Sequence, residues 1–213
     1  KLARRSVERW RTDLTQTEVV VNPCADKPTT RERSPASINR DMNVLKAALN
    51  YAHDHGYVDS DNAWRLALKP IENANRRRDI YLSAEERRRL ISAMQDDIKP
   101  IARAMTLLPF RPSVFAKLTV EDFDERHSVL RVEKDKKAKD RRVPLPVETA
   151  RFFAQNCASK QADSFIFVDR NGNPWNKDSW KKPFKRAVAI TDLSGKVSAY
   201  TLRHSVITDL VSL

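Results

Sequence analysis

The scarcity of glycine is the feature that most restricts what this chain can become. Only three of its 213 residues are glycine. A sandwich of many short strands uses glycine at its tight turns, where the backbone adopts positive φ angles. So few glycines disfavour an all-β sandwich and favour a helix-rich globular protein. Apolar residues make up 40% of the chain, enough for a buried core in one large domain or two small ones.

Apolar spacing in the first third of the chain predicts helices. Residues 1–14 are expected to form a short helix, and residues 15–37, with three prolines, mostly a loop. From Ser37, the expected N-cap, apolar residues recur every third or fourth position up to Gly56, as on one face of an amphipathic helix. A shorter helix is predicted over Ala63–Leu68, which ends at a proline.

The remaining two thirds mix helices with short strands. Residues 83–86, Ser-Ala-Glu-Glu, match a capping box in front of an apolar pattern and predict a helix start. Residues 129–132 and 143–145 have strand character around a lysine-rich stretch, the expected tip of a hairpin. Residues 165–168 resemble a further strand. Further helices are predicted after Pro100 and over residues 147–157, 176–190 and 199–213.

A polar segment divides these two regions. Residues 70–80 begin with a proline, carry several charges and show no apolar period, which is typical of an interdomain linker. The predicted organisation is therefore a helical domain over residues 1–75 and a mixed domain over residues 76–213. The predicted fold class is mainly α with a small β-sheet, an α+β protein.

The charge of the chain indicates its partners. Forty Lys and Arg against 28 Asp and Glu give a formal net charge of +12. The chain is either simply a basic soluble protein or one that binds nucleic acid, whose phosphates favour clustered basic residues through counterion release. Such clusters recur along the whole chain, as expected if a long ligand is wrapped, at residues 4–11, 76–78, 134–142 and 177–186.

Several other classes of protein are disfavoured. No apolar run approaches the ~20 residues of a membrane span, and no signal peptide opens the chain. Because the first residue is Lys1, the chain resembles a fragment or a processed form. Cys24 and Cys157 stand alone, and the histidines are scattered, so we expect no disulfide framework and no metal site. A reduced, cytoplasmic location is the simplest expectation.

Three stretches contain residues suited to phosphate chemistry. Arg111 follows an apolar helix, residues 132–145 are rich in lysine, and Arg203 lies within an apolar helical pattern. Each has an ordinary explanation when taken alone. Arg111 could cap the preceding helix, the lysines could form a solvated tip, and Arg203 could be a structural arginine.

Together, and in this order, the stretches resemble the tyrosine recombinase (phage integrase) family. Leu202-Arg203-His204-Ser205 is close to the Leu-Arg-His-Thr motif of that family, and residues 111–113 resemble its first-arginine turn. Residues 119–124 are similar to the acidic segment that follows the turn, and residues 142–145 to the strand after the lysine hairpin. The resemblance covers nearly the whole chain and implies a helical core-binding domain followed by a catalytic domain.

The resemblance also implies roles for individual residues. Arg111 and Arg203 would hold the scissile phosphate, because a guanidinium is planar, always charged and bidentate towards phosphate. Counting back from residues 143–145 places the family's lysine on Lys136, which could protonate the leaving 5′-hydroxyl. A tyrosine would attack phosphorus and conserve the bond energy as a 3′-phosphotyrosine, so no metal or cofactor is expected.

The sequence departs from the family pattern in three places. Tyr200 stands where the family has the first histidine; it either lines the active site, donating a hydrogen bond to phosphate without relaying a proton as imidazole does, or belongs to the core. Val114 replaces a usual acidic residue, which would loosen the hold on Arg111. The chain stops at Leu213, before the family's last His/Trp and its nucleophilic tyrosine, so a truncated catalytic domain is expected. His204 is mainly structural in the family.

The resulting expectation is a fragment of a site-specific DNA recombinase from a phage or other mobile element. The fragment would clamp double-stranded DNA between its two domains without cleaving it. The parent would act as a homotetramer on paired sites, with accessory DNA-bending proteins as further candidate partners. A non-catalytic DNA-binding regulator on the same scaffold remains the alternative. A basic RNA-binding protein has less support, because no aromatic-rich strand of the RNP type is present.

Overall fold

Two compact units make up the chain, unit 1 over Lys1–Arg78 and unit 2 over Asp79–Leu213. The structure, a computed structural model, describes residues 2–21, 23–24, 26–74, 80–132, 141–193 and 195–212. Both units are built mainly of helices, with small antiparallel sheets, so the predicted α+β class is confirmed. Residues 75–79 of the predicted linker lie outside the described residues.

Unit 1 consists of two helices joined by a small hairpin. Its elements are α1 (Arg4–Gln16), β1 (Val19–Val21), β2 (Thr29–Arg31) and α2 (Pro35–Asp54). Val7 of α1 packs with Ile38 and Met42 of α2 in a core that Trp64 completes. The indole Nε1 of Trp64 donates a hydrogen bond to Asn50 Oδ1 at 2.8 Å, which satisfies its polar atom inside the core.

Unit 1 differs from the sequence-based prediction in three details. The predicted loop contains the antiparallel β1–β2 hairpin, in which Val19 pairs with Arg31. The helix α2 starts three residues earlier than predicted, because Ser34 is its N-cap and a proline occupies its first position. The helix predicted over Ala63–Leu68 is wrong, since these residues form successive turns. Trp64, Ala67 and Leu68 of that stretch are buried all the same, whereas Leu66 is exposed.

Unit 2 surrounds a short three-stranded sheet with helices. Its helices and strands are α3 (Ala84–Ser92), α4 (Lys99–Leu107), α5 (Pro112–Phe115), β3 (Phe123–Asp124), β4 (Val129–Val132), β5 (Arg141–Pro144), α6 (Val147–Cys157), α7 (Lys181–Ile190) and α8 (Ala199–Val211). The strands are antiparallel in the order β3-β4-β5. The predicted capping box is confirmed: Ser83 N donates to Glu86 Oε2 at 2.8 Å, and Glu86 N donates to Ser83 Oγ at 3.2 Å.

The core of unit 2 fixes the helices that matter for the site. Four residues of α4 are fully buried, among them Ile101 and Met105. Phe153 lies at the centre of an aromatic cluster, with its ring centroid 5.6 Å from that of Phe152 and 5.8 Å from that of Phe167. Each fully buried side chain of this size contributes roughly 1.5–3 kcal/mol to folding. Helix α8 packs against α4 and α5 and is thereby held to this core.

The strand predicted over residues 165–168 is reduced to two isolated bridges. Phe165 pairs with Thr119, and Val168 pairs with Pro174. Ile166 N donates to Leu118 O at 2.9 Å, so the segment is tied to the chain before β3 without extending the sheet. Ile166 is nevertheless buried, which explains why its apolar neighbourhood looked like a strand.

Candidate active site

Helix α8 positions Arg203. The helix begins after Ser198, whose backbone N–H donates to Thr201 Oγ1 at 3.0 Å. Its buried face includes Leu202 and Val206, so Arg203, one position further round, lies half-buried at the edge of that face. The Arg203 Nε is buried and has no hydrogen-bond partner among the described residues. A buried donor of this kind is costly unless a water or a ligand oxygen accepts a hydrogen bond from it.

Arg111 lies at the start of α5, whereas Arg203 lies on α8. It is the N-cap residue of α5, with extended backbone angles, and its side chain is exposed. Helix α5 packs against α8. Burial lowers the pKa of Arg203, and the positive charge of Arg111 lowers it further. The charge of Arg111 therefore acts on Arg203, and a pair of neighbouring guanidiniums is suited to binding an anion.

Tyr200 lies one helical turn before Arg203 on α8, so the two residues share one side of the helix. Tyr200 has a relative exposure of 47%, which shows that it does not belong to the core. The electrostatic interaction with Tyr200 raises the pKa of Arg203, whereas the interaction with Arg111 lowers it. The structure thus places Arg111 at the start of α5, and Arg203 and Tyr200 on α8, which packs against α5.

Lys136 lies outside the described residues, as does the rest of the segment from 133 to 140. The strands on either side of this segment are described and paired: β4 and β5 run antiparallel up to the pair Val132 and Arg141. The prediction that Lys136 joins the two arginines stays a prediction.

Other residues weighed in the sequence have ordinary surroundings. Val114 is partly buried and packs against the core of unit 2, where it offers no carboxylate to Arg111. His204 is exposed on α8. Cys24 and Cys157 are free thiols, and burial raises the pKa of Cys157. Within the described ranges, no three His, Cys, Asp or Glu residues are grouped so that they could hold a metal ion. None of the described helices has the length and apolar character needed to cross a membrane.

One group of contacts at α8 was missed by the sequence analysis. Asp209 accepts hydrogen bonds from Tyr81 and Arg87, and Ser205 accepts one from the backbone of Leu82. The available signal was weak: Ser205 and Asp209 are spaced four residues apart and so share one side of α8 with each other. Their partners lie more than 110 residues away in the sequence.

The chain thus has a mainly helical first unit, a second unit of helices around a three-stranded sheet, and two arginines, Arg111 and Arg203, on helices that pack together in that second unit. The sequence profile of the Phage integrase family matches residues 81–212. The chain therefore belongs to the phage integrase family, which is a family of tyrosine-type site-specific recombinases. A comparison with curated proteins finds no significant match.

Solved structures with the same fold include three integrases or recombinases. The Tn1549 transposon integrase in complex with circular intermediate DNA is 18% identical, with a TM-score of 0.73, over 100% of this chain and 73% of that chain. A lambda integrase dimer bound to a COC′ core site is 16% identical, with a TM-score of 0.65, over 82% and 66%. The XerA recombinase is 18% identical, with a TM-score of 0.53, over 98% and 76%. At these identities the likeness establishes the fold.

Proposed function

We propose that this chain is the DNA-binding and phosphate-binding part of a site-specific recombinase from a phage or other mobile element. It is supported by the positions of Arg111 and the half-buried Arg203 on helices that pack together, where the charge of Arg111 lowers the pKa of Arg203 after the larger effect of burial. Two guanidiniums at one point match a phosphodiester, whose non-bridging oxygens gather negative charge in the transition state. The unpartnered Nε of Arg203 supplies a donor for one of those oxygens.

The remaining roles follow from the chemistry of strand cleavage. A tyrosine oxygen forms a bond to phosphorus while the bond from phosphorus to the 5′-oxygen breaks. Lys136 donates a proton to that leaving oxygen, and the Tyr200 hydroxyl donates a hydrogen bond to the phosphate. A second 5′-hydroxyl then reverses the step, which rejoins the DNA in a new arrangement without an external energy source.

Double-stranded DNA is the proposed ligand. The net charge of +12 supports it, and so does the outer face of α7, where Lys182, Lys185 and Arg186 are exposed. The Tn1549 and lambda integrases were solved in complex with DNA, the latter also as a tetramer on a Holliday junction. We place the activity in the cytoplasm, with both units contacting one duplex and four parent chains acting on paired sites. Accessory DNA-bending proteins are proposed as further partners.

Residues 1–213 by themselves should bind DNA without forming a covalent adduct. The sequence contains four tyrosines. Tyr51 and Tyr57 belong to unit 1, and Tyr81 donates its hydroxyl proton to Asp209 at 2.7 Å. Tyr200 lies one turn from Arg203 on the same side of α8, which suits it to contact the non-bridging oxygens, whereas the nucleophile must attack opposite the leaving oxygen.

DNA affinity tests the role of Arg203. The ligand is a labelled duplex with the site that the protein selects from a random pool, and fluorescence anisotropy measures its Kd. Arg203→Gln should weaken binding by about tenfold, the value expected for a lost charge-assisted hydrogen bond. Arg151→Gln is the matched control, because Arg151 is exposed on α6 and paired with Glu148 at 2.7 Å. Equal losses in the two variants would contradict the proposal.

A regulator that keeps the scaffold without cleaving DNA is the second candidate. Two observations favour it: an exposed tyrosine, Tyr200, replaces the usual imidazole, and Val114 supplies no carboxylate beside Arg111. A nicked suicide duplex separates the two candidates when it is incubated with the full-length parent. A recombinase gives a protein–DNA adduct on a denaturing gel that Arg203→Gln abolishes. A parent that binds the site tightly and forms no adduct is a regulator.

A further inference from the structure

The two faces of the three-stranded sheet differ in character. Phe123, Leu130 and Val132 are buried on one face, which covers the core of unit 2. Residues two apart on a strand share a face, and so do residues paired directly across two strands. Arg131 and Arg142 are paired across β4 and β5, and both are exposed. The two arginines therefore lie side by side on the outer face of the sheet.

This cross-strand pair brings two like charges together. The Cβ atoms of directly paired residues lie about 4.5–5.5 Å apart, and like charges at such positions destabilise a sheet. Within the described ranges, neither the Arg131 nor the Arg142 guanidinium forms a hydrogen bond or an ion pair. A carboxylate in place of either arginine would stabilise the sheet instead. The pair therefore disfavours the free protein and becomes favourable when an anion binds to it.

Asp124 is a carboxylate on the same face, because it pairs with Val129, two residues before Arg131. Both of its oxygens are engaged by His127: Oδ1 accepts from the backbone N–H at 3.1 Å, and Oδ2 lies 2.9 Å from Nδ1. These hydrogen bonds hold the pKa of Asp124 below its ordinary value, and the charge of Arg131 has a smaller effect in the same direction. One carboxylate shares the face with two guanidiniums, so the face keeps a net positive charge.

Phosphate is the anion that this arrangement suits best. A guanidinium is a planar fork of donors that binds phosphate oxygens in pairs, and two such forks on neighbouring strands can contact the same phosphate. A duplex would also lie within reach. Lys136, proposed above to act on the leaving oxygen, is five residues after Arg131, and five residues span at most about 18 Å.

We propose that Arg131 and Arg142 together hold one phosphate of the DNA backbone and so fix the duplex on unit 2 without regard to its sequence. A contact to phosphate positions DNA but carries no information about the bases. The inference rests on the function proposed above, in which double-stranded DNA is the ligand.

The salt dependence of DNA affinity tests this inference on the whole chain. The Kd is measured by anisotropy at several salt concentrations, for the selected duplex and for a duplex of scrambled sequence. Each neutralised phosphate contributes about 0.9 to the slope of log Kd against log salt. Arg131→Gln and Arg142→Gln should each weaken binding about fivefold on both duplexes, and the double variant should lower the slope by about 0.9. Arg131→Lys keeps the charge and should keep the slope of the unaltered chain.

Stability provides a readout that separates binding from a structural role. Removing either arginine relieves the repulsion, so neither glutamine variant should lower the melting temperature. Arg142→Glu should raise the melting temperature by about 1–4 °C, because it creates a cross-strand ion pair with Arg131, and should weaken DNA binding more than Arg142→Gln does. A melting temperature lowered by all of these substitutions would mark the pair as structural and overturn the inference.

The controls separate the remaining outcomes. Arg151→Gln, at an exposed arginine paired with Glu148, should leave the Kd unaltered. Equal slopes for the double variant and the unaltered chain overturn the inference, and so does a loss confined to the selected duplex. An unchanged Kd on a duplex half-site, with fewer chains assembled on the full site in ultracentrifugation, would assign the pair to contact with a second chain instead. If Arg203→Gln also leaves the Kd unaltered, the proposed function fails; if Arg203→Gln alone weakens binding, only this inference fails.

Discussion

Ser205→Ala is the substitution whose effect on stability the structure defines most closely. Ser205 is completely buried on α8, and its Oγ accepts a hydrogen bond from Leu82 N, which is buried as well. The same Oγ donates to Thr201 O one turn earlier at 2.9 Å. Alanine would leave the Leu82 N–H without a partner, because no water can reach it.

The magnitude follows from three contributions. An unsatisfied buried N–H costs about 1–3 kcal/mol. Alanine gains about 0.5 kcal/mol in helix propensity over serine. The bond to Thr201 O contributes little, since that carbonyl is also an acceptor within the helix. Ser205→Ala should therefore lower the free energy of unfolding by roughly 0.5–2.5 kcal/mol.

Thr208→Ala is a matched control on the same helix. Thr208 is exposed, and its Oγ1 donates to His204 O at 3.0 Å, so it loses the same type of local bond and gains similar helix propensity. Urea unfolding followed by circular dichroism measures both variants. The difference between them isolates the Leu82 hydrogen bond and should be about 1–3 kcal/mol. Equal free energies of unfolding would refute the reasoning.

Three further predictions concern pH, catalysis and DNA binding. Hydrogen bonds from the Ser83 backbone and then its side chain lower the pKa of Glu86. The stability that ionised Glu86 contributes is therefore present above its ordinary pKa and is lost as pH falls through the lowered pKa. In urea unfolding at acidic pH, the free energy of unfolding should depend less on pH for Glu86→Gln than for the unaltered chain. In the full-length recombinase proposed above, Lys136→Ala should slow cleavage strongly with little effect on DNA affinity. A substrate with sulfur as the bridging leaving atom should rescue this variant, because a thiolate leaves without an acid; absence of rescue would reassign the role to another lysine. The Kd of the chain for duplex DNA should rise by orders of magnitude from low to moderate salt if about six phosphates are neutralised. Each unit alone should bind DNA more weakly than the joined chain. A single unit that binds as tightly as the whole chain would contradict a shared interface.

The elements that were predictable from sequence are those whose signals are local. The apolar period of α2, the capping box of α3 and the range of α6 follow from interactions between residues a turn apart. The β1–β2 hairpin was missed because its strands are three residues long and mostly exposed, so no alternating pattern marks them. The stretch Ala63–Leu68 was predicted as a helix from its apolar spacing, although the burial of Trp64 is achieved by turns.

The candidate site was predictable only through resemblance. Nothing local distinguishes Arg203 from a structural arginine, and its closeness to Arg111 depends on how α5 packs against α8. The contact of Asp209 with Tyr81 spans 128 residues and could not be found from spacing. The assignment of Lys136 depends on the resemblance alone and remains a prediction.

The central claim is that Arg111 and Arg203 hold one phosphate between them, and a tungstate soak of crystals of the chain tests it most directly. Tungstate has the charge and shape of phosphate, and tungsten gives an anomalous signal. We expect one strong peak with oxygens in hydrogen-bond contact with Arg203 Nε and with the Arg111 guanidinium, and no such peak in crystals of Arg203→Gln. Arginines that point away from each other, with tungstate bound only elsewhere, would contradict it.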